Sequence, residues 1–105
     1  MIIFFPEFLR NELKREEVRL RTFGKWRCKV QQPAGLAKAG FFFFNQKDKV
    51  QCAFCYGVLH KWNQEDDLMQ EHRRKFPQCG FVKGRAVGQR GEGLLYFVFI
   101  NLALR

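Results

Sequence analysis

The stretch that decides the fold reads Val50-Gln51-Cys52-Ala53-Phe54-Cys55, then sixteen residues to His72, then six more to Cys79 in Phe76-Pro77-Gln78-Cys79. Two cysteines separated by two residues on a tight turn bring both sulfurs to one side. Zinc takes four ligands in a tetrahedron, with sulfur at about 2.3 Å and imidazole nitrogen at about 2.0 Å. Cys52, Cys55, His72 and Cys79 would supply three thiolates and one neutral imidazole. That set leaves no place for a water, so a single zinc ion held there is expected to be structural. The gap from His72 to Cys79 exceeds the three to five residues of a two-Cys two-His finger. The same residues also read as ordinary buried cysteines and a hydrogen-bonded core histidine. With Cys28 the chain has four cysteines, which allow three disulfide pairings.

Outward from this stretch, the clearest helix covers residues 67–76. Asp67 and Gln70 form a capping-box pattern. Leu68, His72 and Phe76 stand four apart on one face, which points His72 inward. Glu71 and Lys75 share another face in the favourable order, and Pro77 ends the helix. Upstream, Phe41 to Phe44 reads as a buried strand and residues 45–48 as a turn. Alternating Val50, Cys52 and Phe54 make a second strand, and Gly57 to His60 a third. Pro33 opens a short helix that stops at Gly40. Residues 7–21 carry Phe8, Leu9, Leu13, Val18 and Leu20 at loosely helical spacing, with Gly24 as the stop. Cys28 is expected to pack beside Trp26, and His60 to be a partly exposed strand residue.

The length of 105 residues suits one domain, and 47% hydrophobic with 28% charged residues is a globular composition. The net charge of +9 is uneven. Residues 1–40 carry +5, residues 41–82 only +1, and residues 83–105 carry +3. The cysteine-bearing middle is thus near neutral, so a nucleic-acid partner is not expected. No apolar run reaches the roughly 18 residues of a membrane span, so no membrane partner is expected either. Met1 to Pro6 has no basic flank, and a signal peptide is not expected. A reducing compartment follows, which favours metal binding over disulfides. The cytoplasm is the expected location, with the nucleus as an addition. A Gly-rich linker and an apolar tail are expected over residues 84–105.

Arg19-Leu20-Arg21-Thr22-Phe23, Trp26, and Leu36-Ala37-Lys38-Ala39-Gly40-Phe41-Phe42 resemble the opening of a baculoviral IAP repeat, the BIR domain of the inhibitor-of-apoptosis family. Cys52, Cys55, Trp62, His72, Phe76-Pro77 and Cys79 continue the likeness, which covers residues 16–83 and leaves 1–15 as a helical extension. The resemblance implies an α+β fold in which a three-stranded antiparallel sheet packs with several short helices around one structural Zn2+. It implies no enzymatic activity. It further implies partners among caspases or pro-apoptotic proteins that begin with a free Ala, and adaptors or other BIR-containing proteins.

Carried over residue by residue, the family's peptide groove falls on Val58, Leu59, His60, Lys61, Trp62, Asp66, Glu71 and Lys75. There Asp66 and Glu71 would receive an ammonium, and Leu59 and Trp62 would form apolar wall. Strong peptide binders often have Gly at the place of Val58 and Trp at that of Lys75, and Trp26-Arg27 stands where Trp-Pro is common. Glu71, where many caspase binders have Gln, gives a second reading: a survivin-like mitotic adaptor binding a histone tail.

Overall fold

In the computed structural model, which describes residues 6–84, three short strands pair in the antiparallel order β1-β2-β3. They are β1 (Phe41–Phe43), β2 (Val50–Cys52) and β3 (Val58–Leu59). Phe41 lies opposite Cys52, Phe43 opposite Val50, and Val50 opposite Leu59. Side chains alternate between faces along a strand. Phe41, Phe43, Val50, Cys52 and Leu59 therefore share the main core with Leu36, Trp62, Cys79 and Val82. Phe42 points the other way, into a smaller cluster with Leu13 and Ala53. Both faces of the sheet are covered, and this is why three consecutive phenylalanines are all buried.

Helix α1 spans Glu7–Glu12, α2 Glu16–Arg21, α3 Pro33–Lys38 and α4 Leu68–Lys75, with a 3-10 turn at Thr22–Lys25. Pro33 occupies the start of α3, where a missing N–H costs nothing. Gly40 follows with φ of +100°, and its N–H bonds back to the carbonyl of Ala37. A Cβ at Gly40 would meet the Phe81 ring at 3.0 Å, so this turn needs glycine on two counts. The Asp67 carboxylate caps α4 by accepting the Gln70 N–H at 3.0 Å.

Three expectations are corrected. The helical pattern over 7–21 is two helices, because Arg15 is extended between them. Its guanidinium pairs with Glu12 and Glu17 across the break. The inward residue of α2 is Arg19, fully buried, while Leu20 is 43% exposed. Phe8, also placed on the apolar stripe, is 74% exposed. The guanidinium of Arg19 donates to the carbonyls of Leu13 and Lys14, at the end of α1, and of Ala37, in α3. It also lies 5.4 and 5.7 Å from the ring centres of Phe54 and Phe81. These acceptors and ring faces replace the water a buried cation loses. Glu71 pairs with Arg74 at 2.7 Å and not with Lys75. Residues 85–105, with the expected linker and tail, lie outside the described residues, as do residues 1–5.

Candidate metal centre

Cys52 ends β2, and Cys55 lies on the tight turn that follows, in which the Tyr56 N–H bonds the Cys52 carbonyl. His72 sits mid-way along α4 and is fully buried. Cys79 lies beyond Pro77, on a turn closed by its own N–H to the Phe76 carbonyl. The helix is thus stopped where the chain must fold back. The three sulfurs and the imidazole nitrogen all lie within 4.8 Å of one another. Cys52 Sγ and Cys79 Sγ are 3.8 Å apart, and Cys55 Sγ is 3.9 Å from His72 Nε2. Sulfurs on a tetrahedral zinc, at about 2.3 Å each, stand about 3.8 Å apart. The donor set therefore fits that ion. Among the described residues this is the one such cluster.

The surroundings prepare each donor. His72 Nδ1 is 2.9 Å from the carbonyl of Ala39, an acceptor that places the ring proton on Nδ1. Nε2 is left with its lone pair facing the sulfurs. The N–H groups of Phe54 and Cys55 donate to Cys52 Sγ at 3.3 and 3.4 Å, bonds that favour a thiolate there. Hydrogen bonding from Cys52 outweighs burial and draws the Cys55 thiol down to about 4. Cys52 is pushed up by its hydrogen bond to Cys55 and by burial, and Cys79 by burial. Three thiolates together require a cation among them.

Cys28 packs half-buried against the main core, apart from the cluster, as expected of it. His60 is exposed just beyond β3.

The residues assigned to the groove are distributed unevenly. Val58 is half-buried on β3, and His60, Lys61 and Lys75 are exposed. Leu59 and Trp62 are each only 8% exposed and belong to the core. The Trp62 ring packs edge-on to Phe41 at 6.1 Å, and its indole N–H donates to the Asp48 carbonyl. They offer an edge and not a broad wall. The carboxylates are both engaged locally: Asp66 accepts the Asn63 N–H at 2.8 Å, and Glu71 holds Arg74.

Sequence reasoning missed Asp48 and Gln31. Asp48 also accepts the Lys61 N–H, at 2.7 Å. The Gln31 amide donates to the Asn63 carbonyl at 2.7 Å, which ties the approach to α3 to the turn before α4. Neither residue lies in a periodic pattern, so no local signal marks them.

A small α+β scaffold folded about a centre of three cysteines and one histidine, with no second such cluster among its described residues, defines a class of small domains built around one candidate metal site. The chain belongs to the BIR family: the model described as "Inhibitor of Apoptosis domain" matches residues 19–83. It is 42% identical over 74 residues to the Apoptosis inhibitor IAP of Cydia pomonella granulosis virus, covering 70% of this chain and 27% of that protein. It is 46% identical over 83 residues to Baculoviral IAP repeat-containing protein 7 of Mus musculus, covering 75% of this chain and 29% of that protein. The chain thus spans under a third of the length of these relatives. Two solved structures superimpose with a TM-score of 0.70. One is an autoinhibited dIAP1-BIR1 domain, 38% identical, covering 75% of this chain and 81% of that one. The other is DIAP1 BIR1 bound to a Grim peptide, 34% identical, covering 84% of this chain and 91% of that one.

Proposed function

We propose that this chain is a zinc-stabilised recognition module that restrains apoptosis by capturing the free N-terminus of pro-apoptotic proteins or caspases. The observation that carries this reading is its likeness to a BIR domain bound to a Grim peptide. The residues of the centre support the metal half: three sulfurs and one imidazole nitrogen within 4.8 Å of one another. When bound, the ion supplies cross-links between β2, α4 and the turn after it, and no chemistry on a substrate.

Recognition rests on the chain's own groups. Asp66 and Glu71 offer carboxylates to one ammonium, with Val58 at the rim. Each carboxylate already has a local partner, so the ammonium must displace Arg74 or share Asp66 with the Asn63 N–H. Affinity should therefore be modest, in the micromolar class of about −8 kcal/mol. Calorimetry with an Ala-initiated peptide and its acetylated twin tests this. Binding of the free peptide and loss on acetylation are expected, and equal binding of the two would refute the ammonium role.

A further inference from the structure

From Val18 through Lys47 the chain has seven Lys and Arg residues and no Asp or Glu. The middle of this run, Lys25 to Lys29, leaves the 3-10 turn with Trp26 in extended conformation. Lys25, Arg27 and Lys29 are exposed, and Trp26 and Cys28 between them are half-buried against the core. Lys25 closes the 3-10 turn, Trp26 is extended and Lys29 begins a bend, so the three cations face outward at alternate positions along a short open edge. Both ends of the segment are fixed. Trp26 packs edge-on to Phe23 and Phe43, and its indole N–H donates to the Gln31 carbonyl at 2.9 Å. Gln31 is in turn anchored to Asn63.

Nothing in the described residues satisfies this edge. The ion pairs there use Arg15 and Arg74, and none uses Lys25, Arg27 or Lys29. The N–H groups of Arg27, Cys28 and Lys29 make no hydrogen bond among the described residues. An anchored segment with alternating exposure and open main-chain groups is a template for another strand. A row of like charges selects the sign of what pairs with it.

We propose that Lys25–Lys29 is a docking edge for an acidic polypeptide in extended conformation. Carboxylates at its alternate positions meet Lys25, Arg27 and Lys29, while its main chain pairs with the open groups between them. A polypeptide fits better than a nucleic acid because Trp26, the aromatic residue of this segment, is half-buried and its ring is engaged by Phe23 and Phe43, so it is a poor platform for stacked bases. The edge is separate from the groove of Val58 to Lys75 and does not use a free N-terminus.

The test uses the metal-loaded full chain and an acetylated, amidated peptide with glutamates at alternate positions, Gly-Glu-Thr-Glu-Thr-Glu-Gly. Acetylation removes any contribution of the groove. Shifts of the Arg27, Cys28 and Lys29 amides in two-dimensional NMR are expected, with binding that weakens as salt is raised. The triple variant Lys25→Gln, Arg27→Gln, Lys29→Gln should bind at least about tenfold more weakly with an unchanged unfolding midpoint. The reversed variant, with Glu at the three positions, should bind the lysine counterpart of the peptide instead. Equal binding of a glutamine peptide, shifts confined to residues 58–75, or tighter binding of an oligothymidine of equal charge would overturn the proposal.

Discussion

Arg19 and Ala37, eighteen residues apart in sequence, are joined by a 2.9 Å hydrogen bond from the guanidinium Nε to the carbonyl of the helix that leads into β1. The same guanidinium holds Leu13 and Lys14. Burial lowers the Arg19 pKa, yet arginine stays charged at any physiological pH. Arg19→Met is expected to remove the donor from the carbonyls of Leu13 and Lys14, to leave that of Ala37 with the Gly40 N–H alone, and to destabilise the domain by about 2–4 kcal/mol. Arg19→Lys, which lacks the planar fork, should recover only part of that. Urea midpoints at fixed metal concentration measure both.

Removal of metal should unfold the domain. Structural zinc of this kind contributes on the order of 10 kcal/mol, more than a small domain's whole stability of about 5–15 kcal/mol can easily spare. Cys55→Ala and His72→Ala are expected to abolish cooperative unfolding, and chelation to do the same to the parent chain. Less than about half an equivalent of zinc in a protein that still unfolds cooperatively would contradict the role given to the centre.

Gly57 and Phe76 make a sharper case. An added Cβ at Gly57 would stand 2.4 Å from the Phe76 ring. Gly57→Ala should therefore cost about 1–3 kcal/mol by overpacking. In a Phe76→Leu background the same substitution should cost less than half as much. Additive losses in the double-mutant cycle would show that the strain lies elsewhere.

In the groove, Asp66→Asn keeps an oxygen for the Asn63 N–H but removes the charge. It should weaken an Ala-initiated peptide about ten- to a hundredfold without loss of stability. Arg74→Ala frees Glu71 and should strengthen binding by a few-fold, on the scale of an exposed ion pair of about 0.2–1 kcal/mol. Val58→Gly should do so as well by opening the rim. Calorimetry reads all three, and unchanged affinity across the series would place the partner surface outside the groove.

The cluster of three cysteines and His72 is legible in the sequence because its constraint is local: a two-residue gap, a helix face, a proline stop. The three strands and the Pro33 helix are legible for the same reason. Arg19 is not, because a buried cation is tolerable only where carbonyls from two other helices and two ring faces converge, and no window of sequence contains them. The break at Lys14–Arg15 is hidden in the same way, since the donor for the freed carbonyls at the end of α1 comes from the next helix. Leu59 and Trp62 read as surface from the family's groove, yet strand alternation sends Leu59 inward and the Asp48 carbonyl draws Trp62 after it. Glu71 has two cations within one turn, and only side-chain geometry chooses Arg74.

The end of α3 has a consequence for how the molecule comes apart. The carbonyl of Ala37 receives Arg19, and that of Ala39, two residues on, meets the His72 ring. Arg19 of α2 and His72 of the candidate metal centre thus bond one short piece of backbone. Neither half has a private support there, and opening either one strips acceptors from their donors in the other. Amide hydrogens of α2 and α4 should exchange with solvent at a common free energy, as a single opening unit, although the two helices lie far apart in the sequence.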